Sequence, residues 1–233
     1  MQQSCSFCSN SEFRFGERND VSFDFVRSLE DIERDRQALK REEAVYRLLP
    51  IVEGLLKEGG SYSALKVEQI IGRAGMARST FYRYFDDKAA LLLALSEPAL
   101  ADVVAAARGP WELGSGATRE DLEQAMRATI AVYQPHIALL NAMIELSAYD
   151  PAVGERYLAG FEVARAFIAD RIRDGQAGGY MRADLIPDET AAWLTWMAER
   201  GMARLIPNAD SQKIDRLVAT FTALLWHGVY VSG

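Results

Sequence analysis

Cysteine and histidine are nearly missing from this chain, with two of each among 233 residues. Cys5 and Cys8 form a C-x-x-C, but a tetrahedral zinc site needs four ligands and neither His136 nor His227 is near in sequence, so no metal site is expected. The pair reads as two reduced thiols in an N-terminal tail, which suits a reducing compartment. Long apolar runs are also missing. Even "LVATFTALLWHGVYV" falls short of the roughly 18 uninterrupted residues of a membrane span, and no membrane segment is expected. The first twenty residues lack both the basic start and the apolar core of a secretory signal, so the expected address is cytoplasmic. No run alternates polar and apolar with β-branched enrichment, which excludes strands and makes the fold all-α. Finally, there is no serine elbow, metal-ligand cluster, phosphate-cradling glycine loop or evident carboxylate pair. The chain is therefore not expected to be an enzyme or to carry a cofactor.

What is present is a hydrophobic content of 49%, enough for a sizeable core, and an uneven charge. The net charge is −7, yet residues 66–88 hold five cations against three acids. A polyanion would meet the protein there and be repelled elsewhere.

Along the chain, residues 1–27 read as a tail. Ser28 with Asp31 resembles a capping box and opens an accessory amphipathic helix over 28–49, with Leu29, Ile32, Leu39, Tyr46 and Leu49 at roughly helical spacing. Pro50 marks a kink or a fresh start, and Gly59-Gly60 a stop. Two short helices follow, Val67 to Ala74 and Arg78 to Phe85, joined through Gly75-Met76, where glycine can adopt the left-handed turn geometry. Asp87 caps a fourth helix. Beyond it, Thr118 with Asp121, Pro135, Asp150-Pro151, Gly178-Gly179, Pro187 and Pro207 punctuate roughly five more helices of ordinary length. Residues 50–96 thus form one domain and 97–233 a second, helical one.

Two short helices joined by a glycine-containing turn describe a helix-turn-helix, whose second member enters the major groove. Phe81 and Phe85 are four apart and share an inward face, to pack on Ile70, Ile71 and Leu91. Arg78, Ser79, Tyr82 and Arg83 then point outward, where Arg can grip guanine and the hydroxyls can meet phosphate oxygens. Lys88, at the start of the next helix, is placed to hold a phosphate. A merely solvated face would need no interleaved aromatics in the one cationic stretch of an acidic chain.

The stretch "VEQIIGRAGMARSTFYRYFDDKAALLLAL", residues 67–95, resembles the DNA-binding signature of the TetR family of bacterial transcriptional regulators. The resemblance implies a helix-turn-helix head, a C-terminal helical domain for ligand binding and dimerisation, and repression relieved by the ligand. It adds Thr80 and Tyr84 to the DNA-facing set of Arg78, Ser79, Tyr82, Arg83 and Lys88. Two positions depart from the family pattern: where a Ser or Thr usually starts each of the two short helices, this chain has Lys66 and Ala77. Ala77 gives up a cap worth about 1 kcal/mol. Lys66 replaces a hydroxyl contact to DNA with a charged one.

All four tryptophans, Trp111, Trp193, Trp196 and Trp226, fall after the DNA-binding segment. Most aromatics there are core, as is usual, but Tyr133, Phe161, Trp193, Trp196, Met197 and Trp226 are candidates to line a pocket for a small hydrophobic ligand. Asn141, Glu145 and Thr195 are candidate polar groups within it. Glu199-Arg200 reads as a structural ion pair. The helices "ETAAWLTWMAERGMARLI" and "KIDRLVATFTALLWHGVYV" are apolar nearly all round, which suits a homodimer interface across a two-fold axis. A dimer would set two recognition helices on a palindromic double-stranded operator. The closing segments also resemble the EthR-like branch of the family, whose pockets are apolar and aromatic; where that branch carries asparagines, this chain has Thr195 and Ala198. The competing reading is a helical carrier of apolar molecules whose degenerate motif no longer binds DNA, suggested by Ala77 and the acidic N-terminal helix.

Overall fold

The computed structural model describes residues 20–231, and of residues 20–30 the backbone alone. The chain divides into two compact units, Met1–Glu43 and Ala44–Gly233. Among the described residues the regular elements are helices: α1 Asp20–Lys57, α2 Val67–Ala74, α3 Arg78–Tyr84, α4 Lys88–Arg108, α5 Arg119–Tyr133, α6 Ile137–Leu146, α7 Pro151–Ala177, α8 Pro187–Leu205 and α9 Ser211–Val229. Strand-like pairing within them is limited to one bridge between Met181 and Tyr230. The fold is all-α, a helix-turn-helix domain followed by a helical C-terminal domain. Cys5 and Cys8 lie outside the described residues.

In the first unit α1 begins at Asp20, not at Ser28. Residues 31–43 are exposed throughout, including Ile32 and Leu39 of the expected apolar stripe. The accessory helix of 28–49 is therefore not one thing: from Ala44 onward its residues belong to the second unit, where Ala44, Val45 and Leu48 are buried.

In the second unit Pro50 does not restart a helix, for α1 runs through it to Lys57. Pro50 and Tyr46 are both exposed, so the Tyr46 carbonyl that loses its N–H donor is open to water. The starts of α4, α5, α7 and α9 are set by short acids and a hydroxyl. Asp87 accepts from Ala90 N at 2.8 Å, and Asp150 from Val153 N at 3.0 Å. Thr118 and Asp121 cap α5 reciprocally at 3.2 and 2.8 Å. The Thr118 N–H and the Thr118 hydroxyl both donate to Asp121 Oδ2, at 2.8 and 2.7 Å, and hold its carboxyl below the usual range.

Helix α4 differs from expectation in one respect. Lys88–Trp111 is, by length and composition alone, long and apolar enough to cross a bilayer. It instead packs against α5, α6 and α7, with Leu91, Leu92 and Leu95 fully buried.

Two cores result. The first joins α1, α2, α3 and α4 to Leu139, Ala142 and Met143 of α6 and Val153 of α7, so the helix-turn-helix head and the C-terminal domain share one interior. The second is built from α5, α7, α8 and α9 around Met126, Ile172, Val218 and Leu225. Gly175 is needed in that second core, because a Cβ there would stand 2.5 Å from Met181 Cγ and Sδ. Tyr230 stacks on Trp226 at 4.7 Å and closes its end.

Candidate nucleic-acid interface and ligand cavity

The turn between α2 and α3 is Gly75-Met76-Ala77. Gly75 has φ +59°, ψ 34°, and the Met76 N–H returns to Ile71 O at 2.9 Å, a left-handed helix end that glycine adopts without strain. Met76 is buried under the turn. Arg47 donates to Ala74 O at 3.1 Å and covers another terminal carbonyl of α2.

On α3 the inward face is as expected: Phe81 is fully buried, its ring 5.5 Å from that of Phe85, in the core that holds Ile70, Ile71 and Leu91. Phe85 itself lies one residue beyond the helix in extended backbone. Arg78, Ser79, Tyr82 and Arg83 are exposed, with Thr80 and Tyr84 half-buried. The Arg78 guanidinium is held in place by Glu68 at 2.8 Å and lies 5.5 Å from the Tyr82 ring. Tyr84 packs partly against the head core beside Phe85, at 6.4 Å between rings. Ala77 offers no side-chain cap to α3. At Lys66, Gln69 Oε1 accepts from the backbone N–H at 2.8 Å, but an ammonium has no lone pair and cannot return the bond. The Lys66 side chain is exposed.

Lys88 departs from the expectation of a phosphate contact. Its ammonium donates to Tyr62 O, Ser63 O and Leu65 O at 2.9, 2.8 and 2.7 Å, which engages all three of its donors. In return the buried Tyr62 hydroxyl donates to Lys88 O at 2.7 Å. Burial lowers the Lys88 pKa, and Glu145 offsets part of that. Lys88 therefore pins the loop ahead of α2 to the start of α4.

Glu145 departs too. Instead of entering a pocket, it accepts a hydrogen bond from the Ser63 hydroxyl in the same loop. This ties α6 to the helix-turn-helix head.

The pocket is a cavity of about 280 Å³ among α4 to α9, with walls such as Val104, Met126, Met143, Phe161, Met202 and Phe221. Four of the nine expected residues line it: Tyr133, Phe161, Thr195 and Met197. Thr195 offers no donor, since its hydroxyl is engaged by Ala191 O at 2.7 Å. Asn141, Glu145, Trp193, Trp196 and Trp226 are not in the wall. Trp226 is on Tyr230 in the second core. Trp196 stacks behind Phe161 at 4.3 Å, and Trp193 is 78% exposed beside it on a shallow surface recess. The reason is helical phase. The cavity face of α8 runs through Leu194, Ala198, Gly201, Met202 and Leu205, and Trp193 falls off its edge.

Sequence reasoning missed the polar part of the wall. Glu199 lines the cavity and accepts from the Tyr157 hydroxyl at 2.7 Å. Its ion pair with Arg200, at 3.2 Å, is as expected. Burial first, and then the Glu199 carboxylate, raise the Tyr133 pKa to about 12 and push that of Tyr157 higher still. The available signal was spacing: Tyr157 is four residues before Phe161 on α7, and Glu199 four after Thr195 on α8.

Residues 55–95 match the family described as "Bacterial regulatory proteins, tetR family". No curated protein matches the chain. Among solved structures, the TetR family transcriptional regulator PfmR from Thermus thermophilus is similar at 18% identity and TM-score 0.63, covering 78% of this chain and 97% of its own. Regulatory protein TetR from Rhodobacter sphaeroides is similar at 22% and 0.60, covering 80% and 98%. The ketosteroid transcriptional regulator KstR2 of Mycobacterium tuberculosis is similar at 18% and 0.57, covering 81% and 96%. At such identities the likeness establishes the fold. The chain therefore carries a TetR-family N-terminal domain within the fold of TetR-family regulators.

Proposed function

We propose that this chain, with its TetR-family DNA-binding head, is a ligand-responsive transcriptional repressor that leaves a palindromic operator when a small apolar or aromatic molecule fills the cavity. The observation that carries the reading is the split of α3 into two faces. Phe81 is wholly buried behind it while Arg78, Ser79, Tyr82 and Arg83 are exposed in front, within the residues that match the family. That face meets a major groove, with Arg78 and Arg83 on bases or phosphates and the hydroxyls of Ser79, Thr80, Tyr82 and Tyr84 on the backbone. Lys66 adds a phosphate contact. Lys88 acts as a positioning residue behind this surface.

Two copies pair through α8 and α9, where Trp193, Met197 and Leu224 are exposed by 78, 41 and 58%. Release follows from a population shift. Leu140, Met143 and Ile144 of α6 line the cavity, and the neighbouring Glu145 holds Ser63. A ligand that moves α6 thus displaces the head and changes the spacing of the two recognition helices.

The test is binding of the purified protein to DNA flanking its own gene, followed by fluorescence anisotropy over a range of salt. A specific site is expected, with affinity falling steeply as salt rises. Joint replacement of Arg78 and Tyr82 by alanine is expected to weaken it at least tenfold and to flatten the salt slope by about one. Unchanged binding in the folded double variant overturns the reading. A protein that binds apolar molecules but no duplex would instead be a carrier.

A further inference from the structure

The cavity wall selects by polarity as well as by shape. Three of its hydroxyls are already engaged: Thr195 with Ala191 O at 2.7 Å, Thr129 with Ala106 O and Ala125 O at 3.0 Å, and Tyr157 with Glu199 at 2.7 Å. Arg108 and Arg156 bring donors to the wall, and its unused carboxylate acceptor is at one point. Glu199 Oε2 is buried without a hydrogen-bond partner among the described residues, and Arg200 Nε stands 3.2 Å from it as an ion pair that lacks hydrogen-bond direction. The Tyr133 hydroxyl belongs to the same cluster, close enough for the Glu199 charge to act on it, and it has no hydrogen-bond partner among the described residues either. A buried acceptor of this kind calls for a donor.

Resting on the regulator reading above, we propose that the ligand is a neutral two-ring aromatic molecule ending in a hydroxyl, which donates to Glu199 and lies against Phe161. Size and wall favour rings. An apolar cavity of roughly 150 Å³ takes up a benzene, so about 280 Å³ accommodates two rings. The Phe161 ring, stacked on Trp196 at 4.3 Å with Tyr157 edge-on at 4.9 Å, provides a flat aromatic side. Charge decides the terminal group. A ligand carboxylate beside Glu199 would place two like charges in a weakly solvated site. A ligand ammonium would face Arg200 on the same carboxylate and Arg156 in the same wall. A hydroxyl satisfies Oε2 with neither cost.

The experiment is calorimetric titration of the full chain, without DNA, against four probes of one shape: biphenyl, 4-phenylphenol, biphenyl-4-carboxylate and 4-phenylbenzylamine. 4-Phenylphenol is expected to bind tightest, by roughly tenfold or more over biphenyl. Glu199→Gln is expected to cut the preference for 4-phenylphenol over biphenyl severalfold, because the amide accepts a weaker bond than the carboxylate. The wild-type series decides the matter should that variant fail to fold. Equal affinity for phenol and biphenyl, or tightest binding of the carboxylate or the amine, overturns the proposal. Operator release is read separately with whichever probe binds. A bound phenol that leaves operator affinity unchanged refutes the switch and not the ligand class. A carboxylate that binds best and releases operator does the reverse.

Discussion

Lys88 and Glu145 carry the clearest lesson at the scale of single residues. Each is a charged side chain that sequence reasoning assigns to an outside partner, a phosphate for one and a ligand for the other. Each instead holds the chain's own loop over residues 62–65. The cause is that the loop between Lys57 and Val67 exposes carbonyls with no helix to take them, and an ammonium satisfies three at once. Replacing Lys88 by Met should therefore destabilise the protein by about 1–3 kcal/mol in chemical denaturation, since three acceptors lose their donor. It should also leave the salt slope of operator binding unchanged. A flatter slope with unaltered stability would return Lys88 to the phosphate backbone. Arg78 is the opposite case, because its partner Glu68 is exposed and weakly held, and a guanine or phosphate can displace it.

At the scale of elements, the head was legible almost residue by residue. Its signals are local: Gly75 for the left-handed turn, the Phe81 and Phe85 spacing, and Asp87 as a cap. The α2 limits of Val67 and Ala74 are where the sequence places them, the second set by Gly75. The cavity was legible only in part, because its wall draws on six helices and depends on which way each one is rotated. Large aromatic side chains were a poor guide there. Trp193, Trp196 and Trp226 lie outside the wall, whereas the smaller Ala198 and Gly201 are in it. Pro50 left a kink and a fresh start both open for a related reason, since its effect depends on whether the freed carbonyl is wet. Helix α6 is the element on which regulation turns. Ser63→Ala removes the hydrogen bond to Glu145 while touching neither DNA nor cavity. Operator affinity without ligand should change by less than threefold, while the loss of affinity on adding ligand should shrink by at least that factor. Full response in this variant would route the signal through the shared core instead.

For the whole molecule, the central expectation is association. Trp193 is 78% exposed, and with Met197 one turn further on it presents an apolar ridge on α8. Trp193→Glu should convert a dimer to a monomer in sedimentation at micromolar concentration, with the helical content unchanged. Operator affinity should then drop by well over tenfold, because one reading head no longer tethers the other. A Trp193→Glu protein that sediments unchanged would move the interface elsewhere.

Leu139 and Met143 are buried together with Leu91 and Leu92 of the head, in a single hydrophobic interior. Such a design leaves sensor and reader without insulation. Any substitution that reshapes the Met143 side of the chamber to admit a new inducer also presses on the base of the recognition helix. Altered inducer choice and altered promoter occupancy should therefore arise together, and redesign of one is expected to require compensating changes in the other.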